Sequence, residues 1–131
     1  MEQPAVGPII DAVIDALDGS GSGAVAAYLD DETLLHVPGG SGLAGEYQGR
    51  DAICGLLDRM TEASHGTLRF ETVCTTTRDG GGVRLCGHVI GRRRARSLAM
   101  DASLEATVAG ETVREIWLAC SDQHAWDAFW S

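Results

Sequence analysis

Apolar residues recur with a helical period near the two ends and in the middle of the chain, and with a period of two across most of the rest. Ile9, Ile10, Val13, Ile14 and Leu17 fall on one helical face behind Pro8, with Asp11, Asp15 and Asp18 opposite and Gly19 after them. The run Gly19-Ser20-Gly21-Ser22-Gly23 reads as a flexible link into a short helix over 24–29. Ala24 stands where a dinucleotide-binding G-x-G-x-x-G motif needs glycine, and the run follows a helix, not a strand. Ile53, Leu56, Leu57 and Met60 repeat at i, i+3, i+4, i+7, with Asp51 as the expected N-cap and His65-Gly66 as the stop. Asp122 is expected to cap a last helix that carries Trp126, Phe129 and Trp130.

Between these helices the pattern alternates. Leu34-Leu35-His36-Val37 reads as a short strand that runs into a glycine-rich loop from Gly39 to Gly45. From Thr67 the period is two: strands over 67–77 and 83–90 are joined by Arg78-Asp79-Gly80-Gly81-Gly82. In the next strand Leu98, Met100, Ala102, Leu104 and Ala106 alternate with Ala99, Asp101, Ser103, Glu105 and Thr107, and a turn at Ala109-Gly110-Glu111 leads into 112–120. Helices and strands are segregated and the turns are short, so the fold class is α+β with a mostly antiparallel sheet.

Composition narrows the function classes. The 131 residues suit one domain, 1–131, and no apolar run or basic leader suggests a membrane span or secretory signal, so a cytoplasmic location is the default. The net charge is −9 and every basic residue is arginine. Without lysine there is no Schiff-base chemistry, and a net acidic chain repels nucleic acid. Arg92-Arg93-Arg94 with Arg96 is either an anion patch or a solvated turn between strands. Cys54, Cys74, Cys86 and Cys120 show no metal-ligand spacing, and Cys74 and Cys86 are placed to face each other across a hairpin as reduced thiols.

Three segments carry a family likeness. HVPGGSGLAGEYQGRDAI resembles a strand-to-helix segment, GTLRFE a second-strand start, and VREIWLACSDQHAWDAFWS an ending signature of SnoaL-like proteins in the nuclear transport factor 2-like superfamily. That superfamily also holds ketosteroid isomerases, limonene epoxide hydrolases and polyketide cyclases. The resemblance spans essentially the whole chain. It implies a conical roll: a strongly curved, mostly antiparallel sheet wrapped around three to four helices, with an internal pocket. It also implies a homodimer packed through the convex sheet face, and reactions that need no cofactor or metal.

The resemblance also suggests site residues. The general base of the isomerases falls on His36, which is then expected to point into an apolar cone and act as a neutral base; the alternative is a histidine satisfied by backbone near the loop. Tyr28 is a loose match to the isomerases' oxyanion stabiliser. Met100, Leu104 and Trp117 are expected to wall the pocket. Glu115 is either a pocket acid or the partner of an arginine across the sheet. His88 shares a face with Arg84 and Cys86 and is a second catalytic candidate, whereas Asp101 is expected to face solvent or a dimer partner. The acid of the epoxide hydrolases is absent, because Ala119 occupies its position. The expected function is cofactor-independent proton-transfer chemistry (isomerisation, cyclisation or dehydration) on a small apolar, oxygenated molecule. The alternative is a non-catalytic module that binds such a molecule.

Overall fold

The structure, a computed structural model, describes residues 6–16, 23–78 and 80–130. The Leu17-to-Ser22 part of the sequence reading therefore lies outside the described residues. Helix α1 covers Val6–Asp15, a single 3-10 turn Val25–Tyr28, α2 Arg50–Ala63 and α3 Gln123–Trp130. Strands are β1 Leu34–Val37, β2 Gly45–Gln48, β3 Arg69–Arg78, β4 Gly82–Arg93, β5 Arg96–Ala109 and β6 Thr112–Cys120.

All six strands form one sheet in the order β2-β1-β6-β5-β4-β3. Every neighbouring pair is antiparallel except β1 and β6, which run parallel. Strand β2 is an addition to the expected order, because Gly45-Glu46-Tyr47-Gln48 is too short and too polar to announce itself. It pairs with β1, placing Glu46 opposite His36.

One face of the sheet is buried. Leu85 and Val89 on β4, and Leu98, Ala102, Leu104 and Ala106 on β5, alternate with exposed residues, as strand geometry demands. They pack against Ile9 and Val13 of α1, the Ile53/Leu56/Leu57/Met60 face of α2, and Trp126 and Phe129 of α3. Tyr28 and Met100 are half-buried against this core.

Helix ends differ in one respect from expectation. Gly49, not Asp51, is the N-cap of α2, and Asp51 lies in the first turn. Asp122 does cap α3: its Oδ1 accepts the Ala125 N–H at 3.0 Å.

The glycine-rich loop after β1 is tied to α3. Gly39 has φ +100, and a Cβ there would run into Asp127 and Gln123 of α3. The Gly40 N–H donates to Asp127 Oδ1 at 3.1 Å, and Tyr47 Oη donates to the Leu43 carbonyl at 2.7 Å.

The helix-facing side of the sheet encloses a cavity of about 40 Å³, lined only by apolar side chains that include Leu35, Val37, Leu104, Ile116 and Leu118. Ligand pockets for drug-sized molecules run to roughly 300–1,000 Å³. Among the described residues, the interior is filled by side chains rather than shaped for a substrate.

Candidate functional site

Side-chain direction in β1 decides the site. Leu35 and Val37 are buried in the core, so Leu34 and His36 point to the other side of the sheet. In β6, Ile116 and Leu118 line the cavity, which puts Glu115 and Trp117 on the same outer face as His36. His36 therefore does not enter the apolar interior, contrary to the expectation from the resemblance. Leu34, Leu35 and Val37 are all apolar, so local alternation could not say which face was which.

The parallel β1–β6 pairing sets His36 opposite Trp117 and two residues along from Glu115, on the same face of the sheet. The His36 and Trp117 rings stack with centroids 5.5 Å apart and planes 11° from parallel. His36 Nε2 lies 2.5 Å from Glu115 Oε2, and Nδ1 lies 3.3 Å from Glu46 Oε1. Glu115 thus has a histidine partner, not an arginine. The His36 side chain is 25% exposed, Glu115 31% and Glu46 73%, so the cluster is a half-open site whose loosest member is Glu46.

An imidazole has one N–H when neutral and two when protonated. With Glu115 accepting from Nε2–H, the Nδ1 lone pair is left for an incoming proton. After proton uptake, each ring N–H has a carboxylate acceptor. Glu115 orients the ring as the carboxylate of a catalytic triad does, and Trp117, 40% exposed, offers a flat apolar wall beside it.

The remaining expected residues fall elsewhere. Leu104 lines the interior cavity, whereas Tyr28 and Met100 only pack against the core around it. His88 lies on the outer face, away from Leu85 and Val89, with Nδ1 2.5 Å from Asp101 Oδ1. Asp101 is exposed, as expected from the alternation. His88 and Asp101 border an outer groove of about 410 Å³ whose walls include Cys86, Ser103, Ala119 and Val73. Rows of larger side chains flank the small ones, with Trp117 opposite Glu105 and Glu105 opposite Arg84.

The cysteines are all free thiols. Cys74 and Cys86 are direct cross-strand partners, as the hairpin spacing suggested, and the hydrogen bond between them pushes the Cys74 thiol above its usual range. Burial, with Asp127 nearby, pushes Cys120 up to about 11.

Sequence reading missed Glu46. The signal for it is tertiary: only the β1–β2 register brings it to His36.

No family model matches the chain. No curated protein matches it either. Solved structures do. Bal32a, from a soil-derived mobile gene cassette, is 22% identical over 94% of both chains with a TM-score of 0.86. A protein of unknown function with a cystatin-like fold from Xanthomonas campestris is 19% identical over 98% of this chain and 99% of that one, with a TM-score of 0.87. A protein from Shewanella denitrificans described as a SnoaL-like polyketide cyclase by assignment only is 13% identical over 97% of both chains, with a TM-score of 0.75. Others are described as NTF2-like or as having a ketosteroid isomerase-like fold. The chain has the nuclear transport factor 2-like fold, an α+β architecture with a curved six-stranded sheet over three helices. At these identities the likeness establishes the fold, and chemistry rests on the residues.

Proposed function

We propose that this protein is a cofactor-independent acid–base enzyme for a small, largely apolar, oxygenated molecule, with His36 as the base. The observation that carries this reading is the His36–Glu115 pair at 2.5 Å, half-exposed and stacked on Trp117. The substrate lies against Trp117 and displaces the exposed Glu46 carboxylate from Nδ1. Nδ1 then takes a proton from a carbon alpha to a carbonyl, or from a hydroxyl closing a ring, and returns it at a second position. Glu115 holds the ring throughout and accepts the hydrogen bond of the imidazolium that forms. His88, paired with Asp101 at the border of the outer groove, is a second candidate on the same face.

The test begins with a thermal-shift screen of steroids, terpenoids and aromatic polyketides. A ligand at about 100 times its Kd adds about 2.7 kcal/mol, a shift of several degrees. Each hit is then incubated with the parent, His36→Gln and Glu115→Gln. The expected result is an equal thermal shift in all three and a loss of turnover of about 100-fold or more in His36→Gln. Turnover by His36→Gln at the parent rate would remove the base assignment.

A second reading is a binding module for an apolar molecule in the interior. Its support is the wholly apolar lining of the interior, and it requires those side chains to part, since the cavity as it stands holds only about 40 Å³. On that reading a hit shifts the parent and His36→Gln alike, and neither protein converts it.

A further inference from the structure

The groove between the end of α2, the β4–β5 turn and the end of α3 plays no part in the site above. It has a volume of about 680 Å³, and Arg59, His65, Arg93 and Arg94 line it. Leu43 and Trp130 supply an apolar wall, and Glu62 is the one acidic side chain among the described residues that line it. On a chain of net charge −9 this is a local reversal of sign.

Two backbone facts converge there. Among the described residues, the non-glycine residues with left-handed φ are His65 at 53° and Arg94 at 50°. Both line this groove. His65 closes α2, its N–H donating to the Glu62 carbonyl at 3.1 Å, and Arg94-Ala95 joins the paired Arg93 and Arg96 of β4 and β5. Glycine is the usual occupant of a helix-closing position and of a tight hairpin turn that need such φ values. Here both strained positions carry side chains that can be cationic, and strain of this kind gathers at functional sites.

The surrounding contacts position these groups. Arg93 Nη1 donates to the Phe129 carbonyl at 2.6 Å, which ties the turn to α3. The Arg59 guanidinium lies 6.0 Å from the Tyr47 ring centroid. Arg94 is exposed and has no side-chain partner among the described residues. The negative end of α2 points the same way. However, its last carbonyls at Met60, Thr61 and Glu62 already accept the N–H groups of Ser64, Gly66 and His65.

We propose that this groove binds a small organic anion, a carboxylate or phosphate carried on an apolar body. The guanidinium forks of Arg59 and Arg94, held beside Arg93, take the anionic oxygens. Trp130 and Leu43 cover the body. A nucleic acid fits less well, since the rest of the chain repels it and no run of exposed aromatic side chains continues the groove.

The test is an NMR titration of the 15N-labelled protein with benzoate, inorganic phosphate and a short single-stranded oligonucleotide. Saturable shifts of the His65, Gly66, Arg94 and Ala95 amides with benzoate or phosphate are expected. Comparison of the two reports whether the apolar body matters. Arg59→Gln with Arg94→Gln, both at exposed positions, is expected to weaken binding about tenfold or more without moving the thermal midpoint. Arg84→Gln, on the outer sheet face, is expected to change nothing. Shifts that do not saturate by about 20 mM, equal affinity in the double variant, or tighter binding of the oligonucleotide would each overturn the proposal.

Discussion

Single residues differ in ways that chemistry can read directly. Cys74 is exposed, whereas Cys120 is half-buried with its thiol at about 11. Both thiols are held above their ordinary range, so exposure decides: limited alkylation at neutral pH is expected to modify Cys74 ahead of Cys120, as peptide mass mapping would show. Asp30 offers a second test. Its Oδ1 accepts the Glu32 N–H at 2.9 Å and the Thr33 hydroxyl at 3.2 Å, while that buried Thr33 hydroxyl also reaches the Val113 carbonyl at 2.6 Å. These bonds, led by the Glu32 amide, hold the Asp30 carboxyl below its ordinary value. A depressed carboxyl stabilises the fold above its unfolded pKa, and the gain is lost as pH falls through the folded one. Asp30→Asn is therefore expected to flatten the acid limb of a stability-against-pH curve below about pH 4 and leave the neutral region less stable than the parent.

Among the elements, the β3–β4 hairpin is the most exacting. A Cβ at Gly87 would strike the Glu71 carbonyl of β3, a backbone atom that cannot move without breaking the ladder. Gly87→Ala is expected to cost about 1–3 kcal/mol in chemical denaturation, where Ala at an ordinary strand position costs little. Strand β3 lies at the edge of the sheet, with β4 as its one strand neighbour among the described residues, and every residue from Glu71 to Arg78 is exposed. The bulge between Thr72 and Cys74 interrupts that edge and works against pairing with another chain.

At the scale of the whole molecule, the outer sheet face carries His36, Trp117, the 410 Å³ groove and most of the cross-strand charge pairs. We propose, from the resemblance alone, that this face packs on a second copy. Light scattering after size exclusion is then expected to give about twice the 13.8 kDa chain mass. A monomer mass would leave the His36 cluster as a solvent-facing site with no partner beside it. No described helix is long and apolar enough to cross a membrane.

Local patterns alone placed every element except β2 in order, and gave the buried face of β5 and the apolar faces of α2 and α3, but left open which face of β4 looks inward. Those placements follow from periods of 3.6 and 2, which each segment carries in its own residues. The same patterns could not orient β1, because three of its four residues are apolar, nor reveal β2, whose partner lies across a loop. Only the tertiary structure brought Glu115 to His36, through a parallel pairing of strands 79 positions apart, and Arg94 to the groove beside His65. Long-range register and the filling of the interior depend on how all the faces pack together, and no local pattern records that.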